Sequence, residues 1–358
     1  MLDVYRSTFK ESECIDDMEL TVLHEVILEI TPGRLSQVIE DNPSQLDLTD
    51  AAGNTALNWA ALRGDLVSIE LLLSCGSDPN VVNLRGESPL ASASKFCRAD
   101  CMKALLDAGA DVRPDVDGLT PLHYVCGRTD RVELIQLLLR CDVNLDQQDI
   151  FCRSPLAMAV WKNHHRVAEL LLSLGADKER KDVFGASPLL RAVQYNAVDA
   201  ARVLIEYGAN TSSTAKDGQT ILHRAALSRS ESMMKYLANV PLAPIDISVK
   251  DGMDMTAKER LMQLKPSMEL LQAFTELSLA ASRSAEASLL LAEDAPIATY
   301  SSISAFRQAS DSLVALPFLG NMFTRASAVD ESGDGSRLDL PRSDSPFESF
   351  EDAVEFQN

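Results

Sequence analysis

The chain has 358 residues, of which 46% are hydrophobic and 24% charged, and its formal net charge is −20 at pH 7. This composition is that of a folded protein. The acidic excess disfavours nucleic acids and anionic membrane surfaces as partners, because both are negatively charged. Aromatic residues make up only 5% of the chain, which favours packed helices over β-sheets.

The cysteines and the first residues indicate a compartment. Seven cysteines are scattered along the chain, and acidic residues stand near its start, where a signal peptide needs an apolar core. No apolar stretch approaches the roughly 18 residues of a membrane span. We therefore expect an intracellular protein, cytoplasmic or nuclear, with reduced thiols and no membrane insertion.

A short motif recurs in chain order: a hydroxyl residue, then often Pro, then Leu, then often His. It begins at Thr21, Thr55, Ser88, Thr120, Ser154, Ser187, Thr220 and, in a weak copy, Thr256. Successive copies lie 32 to 36 residues apart. So even a spacing indicates stacked copies of one structural unit.

Each residue type in the unit has a physical role. The Ser or Thr is predicted to cap the first helix, and the Pro beside it suits the first helical position. A Gly two residues before the motif fits a tight turn, and a Gly-Ala pair such as Gly175-Ala176 ends the second helix. The unit is therefore predicted as turn, helix, short turn, helix and extended return.

These features resemble the ankyrin repeat, whose length and motif they match. The resemblance implies an all-α solenoid of helix-turn-helix units with short β-hairpin turns. We predict an N-terminal arm at residues 1–15 and a repeat domain at 16–265, with seven to eight units and degenerate ends. Residues 266–295 are predicted as a helix that caps the repeats or binds a partner, and 296–358 as a disordered tail rich in Ser and acidic residues.

Several residues depart from the repeat pattern. Cys152 stands where other units have the turn glycine, which predicts strain there. The motif His is present at His24, His123 and His223 and replaced at Asn58, Ala91, Ala157 and Leu190. The resemblance gives this His a structural role, tying adjacent turns together. The neighbouring His164 and His165 are interpreted as solvated loop residues, because adjacent residues do not share a helix face for one metal.

The resemblance also implies where a partner binds: in a concave groove formed by the hairpin tips and the ends of the first helices. The residues carried over to that groove are Arg85, Lys95, Phe96, Arg128, Ile150, Phe151, Arg153, Trp161, Lys162, Val183, Phe184 and Tyr195. Aromatic residues and Arg are enriched at binding hot spots. Packing against neighbouring helices is the alternative role for several of them. No catalytic motif, metal site or cofactor site is predicted.

Five of these residues are basic in an otherwise acidic chain: Arg85, Lys95, Arg128, Arg153 and Lys162. They favour an acidic or phosphorylated peptide as ligand. The leading hypothesis is a monomeric, non-catalytic scaffold or adaptor for another protein. The alternatives are a transcriptional or signalling cofactor that acts through the acidic tail, and a fragment or relative of a larger receptor or enzyme.

Overall fold

The computed structural model describes residues 19–293 except 241, 243 and 244, with side chains as far as residue 283. The chain divides into two units, residues 1–295 and 296–358, and the second lies outside the described residues. The predicted disordered tail and the predicted N-terminal arm at residues 1–15 therefore both lie outside the described residues.

The described residues form sixteen α-helices in eight consecutive pairs. The pairs are α1 Val22–Ile27 and α2 Leu35–Asp41, α3 Ala56–Arg63 and α4 Leu66–Ser74, α5 Pro89–Lys95 and α6 Ala99–Asp107, α7 Pro121–Arg128 and α8 Val132–Leu138, α9 Pro155–Trp161 and α10 His165–Ser173, α11 Pro188–Gln194 and α12 Val198–Glu206, α13 Ile221–Ser228 and α14 Glu231–Ala238, and α15 Ala257–Gln263 and α16 Met268–Glu293. We number the units one to eight in this order. The predicted all-α solenoid is confirmed.

The motif residues fix where each first helix begins. All eight predicted hydroxyl residues are N-caps, and Thr55 shows the geometry: its side chain accepts a hydrogen bond from the Asn58 N–H at 3.2 Å. A leucine two positions after the cap is fully or almost fully buried in units one to seven: Leu23, Leu57, Leu90, Leu122, Leu156, Leu189 and Leu222. Burying one leucine stabilises the fold by about 1.5–3 kcal/mol.

The helices stack in two layers. Each first helix packs on the first helix of the next unit, and each second helix from α4 onwards packs on the next second helix. The long helix α16 packs against α14 and takes the second-helix place in unit eight. It buries one face there, formed by Leu270, Ala273, Phe274, Leu277 and Ala281.

The hairpin tips are joined directly by backbone hydrogen bonds. At each boundary from unit two to unit eight, the N–H of one tip donates to a carbonyl of the preceding tip. The donor–acceptor pairs are Leu84–Ala52, Val116–Arg85, Ile150–Asp117, Val183–Phe151, Lys216–Phe184 and Gly252–Asp217, with N···O distances of 2.7–3.0 Å. Because consecutive tips share a bond, equivalent residues stand in line along the stack.

The residue two positions before each N-cap is left-handed in all eight units. Five of the residues that hold this position are glycines of the kind predicted, such as Gly118 at φ +78°, where an added Cβ would lie 2.9 Å from the Asp149 Cα. Cys152 holds it in unit five at φ +55°. A side chain in this conformation costs about 1–2 kcal/mol, so the structure shows the backbone strain that the sequence predicts at Cys152.

The motif His bridges neighbouring units. In His123 the Nδ1 accepts from the Thr120 N–H at 3.1 Å, and the Nε2 then carries the proton that it donates to the Arg153 carbonyl at 3.1 Å. Asn58 reproduces both bonds, since its Oδ1 accepts from Thr55 and its Nδ2 donates to the Glu87 carbonyl at 3.1 Å. His24 and His223 make the corresponding bridges.

Burial of His123 makes folding pH-dependent. Burial lowers the pKa of His123 from 6.5 to about 4, so the unfolded chain binds the proton more readily between these values. The stability from this group is complete above pH 6.5 and is lost as the pH falls towards 4, by about 1.4 kcal/mol per unit. Burial also lowers the pKa of His24, which acts in the same direction.

We predict that His123→Asn flattens this acid dependence, because Asn58 shows that an amide can make both bonds. Urea unfolding of both proteins at pH 7, 6 and 5 measures the effect, with a smaller loss expected for the variant. The control is His165→Asn, the same substitution at a side chain that is 44% exposed. Parallel profiles for wild type and His123→Asn would contradict the prediction.

We predict that Cys152→Gly raises the free energy of unfolding by about 0.5–1 kcal/mol, the relief of strain less the extra chain entropy of glycine. Cys152→Ser keeps the Cβ and should give no gain. Chemical denaturation at neutral pH under reducing conditions compares the three proteins. Equal stabilities for the Gly and Ser variants would show that position 152 is not strained.

Candidate functional site

The hairpin tips carry a line of exposed apolar side chains. Leu84 is 76% exposed, Val116 64%, Ile150 57% and Val183 38%, and we call these four residues the tip row. Their backbone N–H groups are the ones that bond to the preceding tips. An apolar cluster held in line on an exposed surface marks an interaction site. Ile150 and Val183 were predicted site residues, while Leu84 and Val116 extend the line by two units.

Two phenylalanines stand beside the tip row. Phe151 and Phe184 are about half exposed, and each lies against an arginine of its own unit. The guanidinium carbon of Arg153 is 4.8 Å from the Phe151 ring centre, and that of Arg191 is 5.2 Å from the Phe184 ring centre. The cations hold the rings in place while the other faces stay exposed. Both predicted residues therefore lie on the same surface as the tip row.

The ends of the first helices form a second line. The residues eight positions after the N-cap in units three to six are Phe96, Arg128, Lys162 and Tyr195, which we call the helix-end row. The Arg128 guanidinium lies 5.7 Å from the Phe96 ring centre. Trp161 precedes Lys162 and lies 6.1 Å from Tyr195 between ring centres. The structure thus brings the predicted aromatic and cationic residues of neighbouring units together.

Two of the five predicted cations are neutralised within their own units. Lys95 forms an ion pair with Glu87, and Arg153 pairs with Asp149 at 2.6 Å. The Asp149 side chain is fully buried and that of Arg153 is only 10% exposed. Arg85, Arg128 and Lys162, by contrast, are exposed. The excess positive charge of the surface therefore resides on these three residues.

A buried hydrogen-bond pair links hairpin and first helix, and sequence reasoning missed it. The acceptor is an aspartate five residues before the N-cap, and the donor stands four residues after the cap. The pairs are Asp50–Trp59, Asp115–Tyr124, Asp182–Arg191 and Asp251–Arg260. Burial raises the pKa of Asp115, and burial with the nearby Asp115 carboxylate raises that of Tyr124. The nine-residue spacing between acid and donor is the signal that could have identified them.

His164 differs from its prediction as a solvated loop residue. It is the N-cap residue of α10, and its Nδ1 lies 2.8 Å from the Cys126 carbonyl oxygen of the preceding unit. His165 lies 3.7 Å from Asp130. Since both rings contact the preceding unit, they belong to the boundary between units four and five.

The described part of the chain shows neither a metal-binding cluster nor a membrane-spanning helix. No three His, Cys, Asp or Glu side chains there are arranged to hold a metal ion. None of the described helices combines the length and apolarity that a membrane crossing needs.

A stack of helix pairs with a periodic exposed surface defines a repeat protein of the kind that binds other proteins. The family model described as ankyrin repeats, in three copies, matches residues 23–115, 113–182 and 156–251. The chain therefore belongs to the ankyrin repeat family, whose repeats generally serve as non-catalytic protein-interaction domains.

Known proteins resemble part of the chain. It is 32% identical over 136 residues to human B-cell lymphoma 3 protein, covering 36% of this chain and 30% of that protein. It is 30% identical over 128 residues to mouse NF-kappa-B inhibitor delta, covering 30% of this chain and 39% of that protein. The chain thus spans about a third of the length of these relatives. The solved human ASB11 ankyrin repeat domain matches at 26% identity with a TM-score of 0.55, covering 63% of this chain and 98% of that domain.

The cation that is paired with a buried acid and the exposed cation should differ in how much they stabilise the fold. Arg153→Met leaves the buried Asp149 carboxylate without its charge partner and should lower the free energy of unfolding by about 3 kcal/mol. Lys162→Met, at an exposed position, should change it by less than about 0.5 kcal/mol. Urea denaturation measures both. Adding Asp149→Asn to Arg153→Met removes the unpaired charge and should recover part of the loss, and equal effects of the two single variants would contradict this account.

Proposed function

We propose that this protein is a non-catalytic scaffold or adaptor that binds another protein through the tip row, Phe151, Phe184 and the helix-end row. The observation that supports this most strongly is the tip row itself. Four apolar side chains, 38–76% exposed, stand in line on four successive tips and are held there by backbone bonds. A surface this open suits another macromolecule, whereas small ligands are enclosed in pockets.

The surface also suggests the chemistry of the partner. Apolar tips and half-exposed phenylalanines contribute area from which water is excluded on binding, and aromatic anchors such as Trp161 supply much of the energy at interfaces. The exposed cations Arg85, Arg128 and Lys162 favour an acidic partner segment. Lys95 and Arg153 hold the hairpins and support the neighbouring rings, so their part in binding is indirect.

NF-kappa-B is the first named partner to test. The mouse relative is by name an inhibitor of NF-kappa-B, and it shares 30% identity with this chain over 128 residues. Purified NF-kappa-B subunits immobilised on a sensor surface provide the assay. The alternative of a cofactor that acts through the acidic tail is tested in the same format, by fusing residues 296–358 to an unrelated carrier protein.

We propose an intracellular site of action. The six cysteines within the described residues are free thiols, which suits a reducing compartment. We expect the protein to act as a monomer, with the tip row available to its partner.

The test of protein binding is a comparison of variants of the full chain. The tip variant combines Val116→Ser, Ile150→Ser and Val183→Ser, all at exposed positions where folding should be unaffected. Partners are captured by crosslinking in a lysate of the source cells and quantified by mass spectrometry. We expect the tip variant to lose at least about tenfold of a partner that wild type captures, because tenfold corresponds to only about 1.4 kcal/mol and each buried CH₂ group contributes about 0.8 kcal/mol.

The matched control removes exposed apolar residues from elsewhere. Val67→Ser and Leu174→Ser change side chains at α4 and just after α10 that are 75% and 46% exposed. Thermal unfolding verifies that all the variants are folded. Retention of every partner by the tip variant, or equal loss from the control, would exclude the tip row as the binding surface.

A further inference from the structure

Residues of the helix-end position contact one another across unit boundaries. Glu29 and Arg63 hold this position, eight residues after the N-cap, in units one and two, and they form an ion pair at 2.5 Å. Phe96 and Arg128 hold it in units three and four, and they lie in cation–π contact. A side chain at this position therefore reaches the equivalent side chain of the next unit.

Units four and five place two cations at these neighbouring positions. Arg128 and Lys162 are both exposed, and neither forms an ion pair with any carboxylate of the described residues. The Arg128 Nε donates to the Lys95 carbonyl at 3.0 Å. Where units one and two have an acid and a base, units four and five have two bases at the equivalent positions, and like charges in adjacent units repel each other unless an anion lies between them.

Aromatic rings hold both cations in place. Arg128 lies over Phe96, and the Lys162 ammonium lies 3.9 Å from the Trp161 ring centre. Trp161 in turn contacts Tyr195 of the next unit. A cation fixed against a ring loses less side-chain entropy when it binds an anion.

We propose that Arg128 and Lys162 together bind the phosphate group of a phosphorylated side chain on the protein partner. A phosphate monoester carries a charge of about −1.5 to −2 at pH 7, which matches the two cations, whereas one carboxylate leaves half of their charge uncompensated. Arg and Lys both donate charge-assisted hydrogen bonds to phosphate oxygens. This inference rests on the proposed protein-binding function, and it adds that phosphorylation of the partner controls binding.

The arrangement also limits the sequence around the phosphorylated residue. The tip row lies on the hairpins of units three to six, the same units that carry the helix-end row, so residues that flank the phosphate can meet apolar side chains there. Trp161, which contacts both Lys162 and Tyr195, offers a further apolar surface beside the cations. We therefore expect a phosphorylated residue followed or preceded by apolar side chains.

The experiment uses the full chain and synthetic peptide pools. Each pool has a fixed central phosphoserine, phosphothreonine or phosphotyrosine with randomised neighbours, and matched pools carry the unphosphorylated residue or glutamate. We expect the chain to retain at least one phosphorylated pool about tenfold more than its unphosphorylated match, as charge-assisted hydrogen bonds warrant. Arg128→Gln with Lys162→Gln should remove that difference. Equal retention of phosphorylated and unphosphorylated pools would overturn the proposal.

The control variant removes the same charge elsewhere. Lys103→Gln with Arg166→Gln neutralises two exposed cations of second helices and should leave retention unchanged. If this variant lost as much of the phosphorylated pool as the Arg128 and Lys162 variant, net charge alone would explain retention and a defined phosphate site would be refuted. Inorganic phosphate is titrated as competitor, and binding as tight as that of the phosphopeptide would indicate a site for free phosphate instead.

A second arm separates this inference from the proposed function. The lysate used for capture is treated with phosphatase and compared with an untreated sample. In one outcome, wild type captures a partner equally from both samples and the tip variant loses that partner. This result would support the protein-binding function and refute phosphate recognition. Loss of those partners after phosphatase treatment would support both the protein-binding function and phosphate recognition.

Discussion

The hydrogen bond from each hairpin tip to the tip before it is the constraint on which the exposed surface depends. Because the N–H of Val116, Ile150 and Val183 is committed to the preceding hairpin, the side chains at these positions repeat at a fixed interval. Equivalent tips are two strand spacings apart, and each spacing is about 4.8 Å. The sum of the two spacings is close to the distance between the axes of packed helices. The backbone thus sets a regular line of positions, and the sequence decides only which chemistry occupies each of them.

Under the tips, the same interaction is made by chemically different residues. Trp59, Tyr124, Arg191 and Arg260 all donate to an aspartate of their own hairpin. An indole, a phenol and a guanidinium share little except a donor at the end of a long side chain. What the fold requires at this place is therefore a hydrogen-bond donor of sufficient reach, since a buried carboxylate without one is costly.

Much of the fold could be predicted from the sequence, because caps and turns depend on residues close together in the chain. The eight N-caps and the left-handed Cys152 are examples. Ion pairing was harder to predict: Arg153 has a suitable acid four residues away, but its burial depends on how the hairpin folds back. His164 was misread for a similar reason, as its partner Cys126 is 38 residues away. The membership of the binding surface stays a prediction, because exposure alone does not name a ligand.

The bridges made by the motif His have a mechanical consequence. Boundaries where Ala91, Ala157 or Leu190 replaces it lack that bridge, and these are the boundaries between units three and four, five and six, and six and seven. The Phe96–Arg128 and Trp161–Tyr195 contacts span the first two of them. The middle of the array thus lacks this bridge at three boundaries, two of which are spanned at the surface by side chains proposed to contact a partner. A bound partner that spans these boundaries would restrain the units on either side, so that binding makes the whole array more rigid.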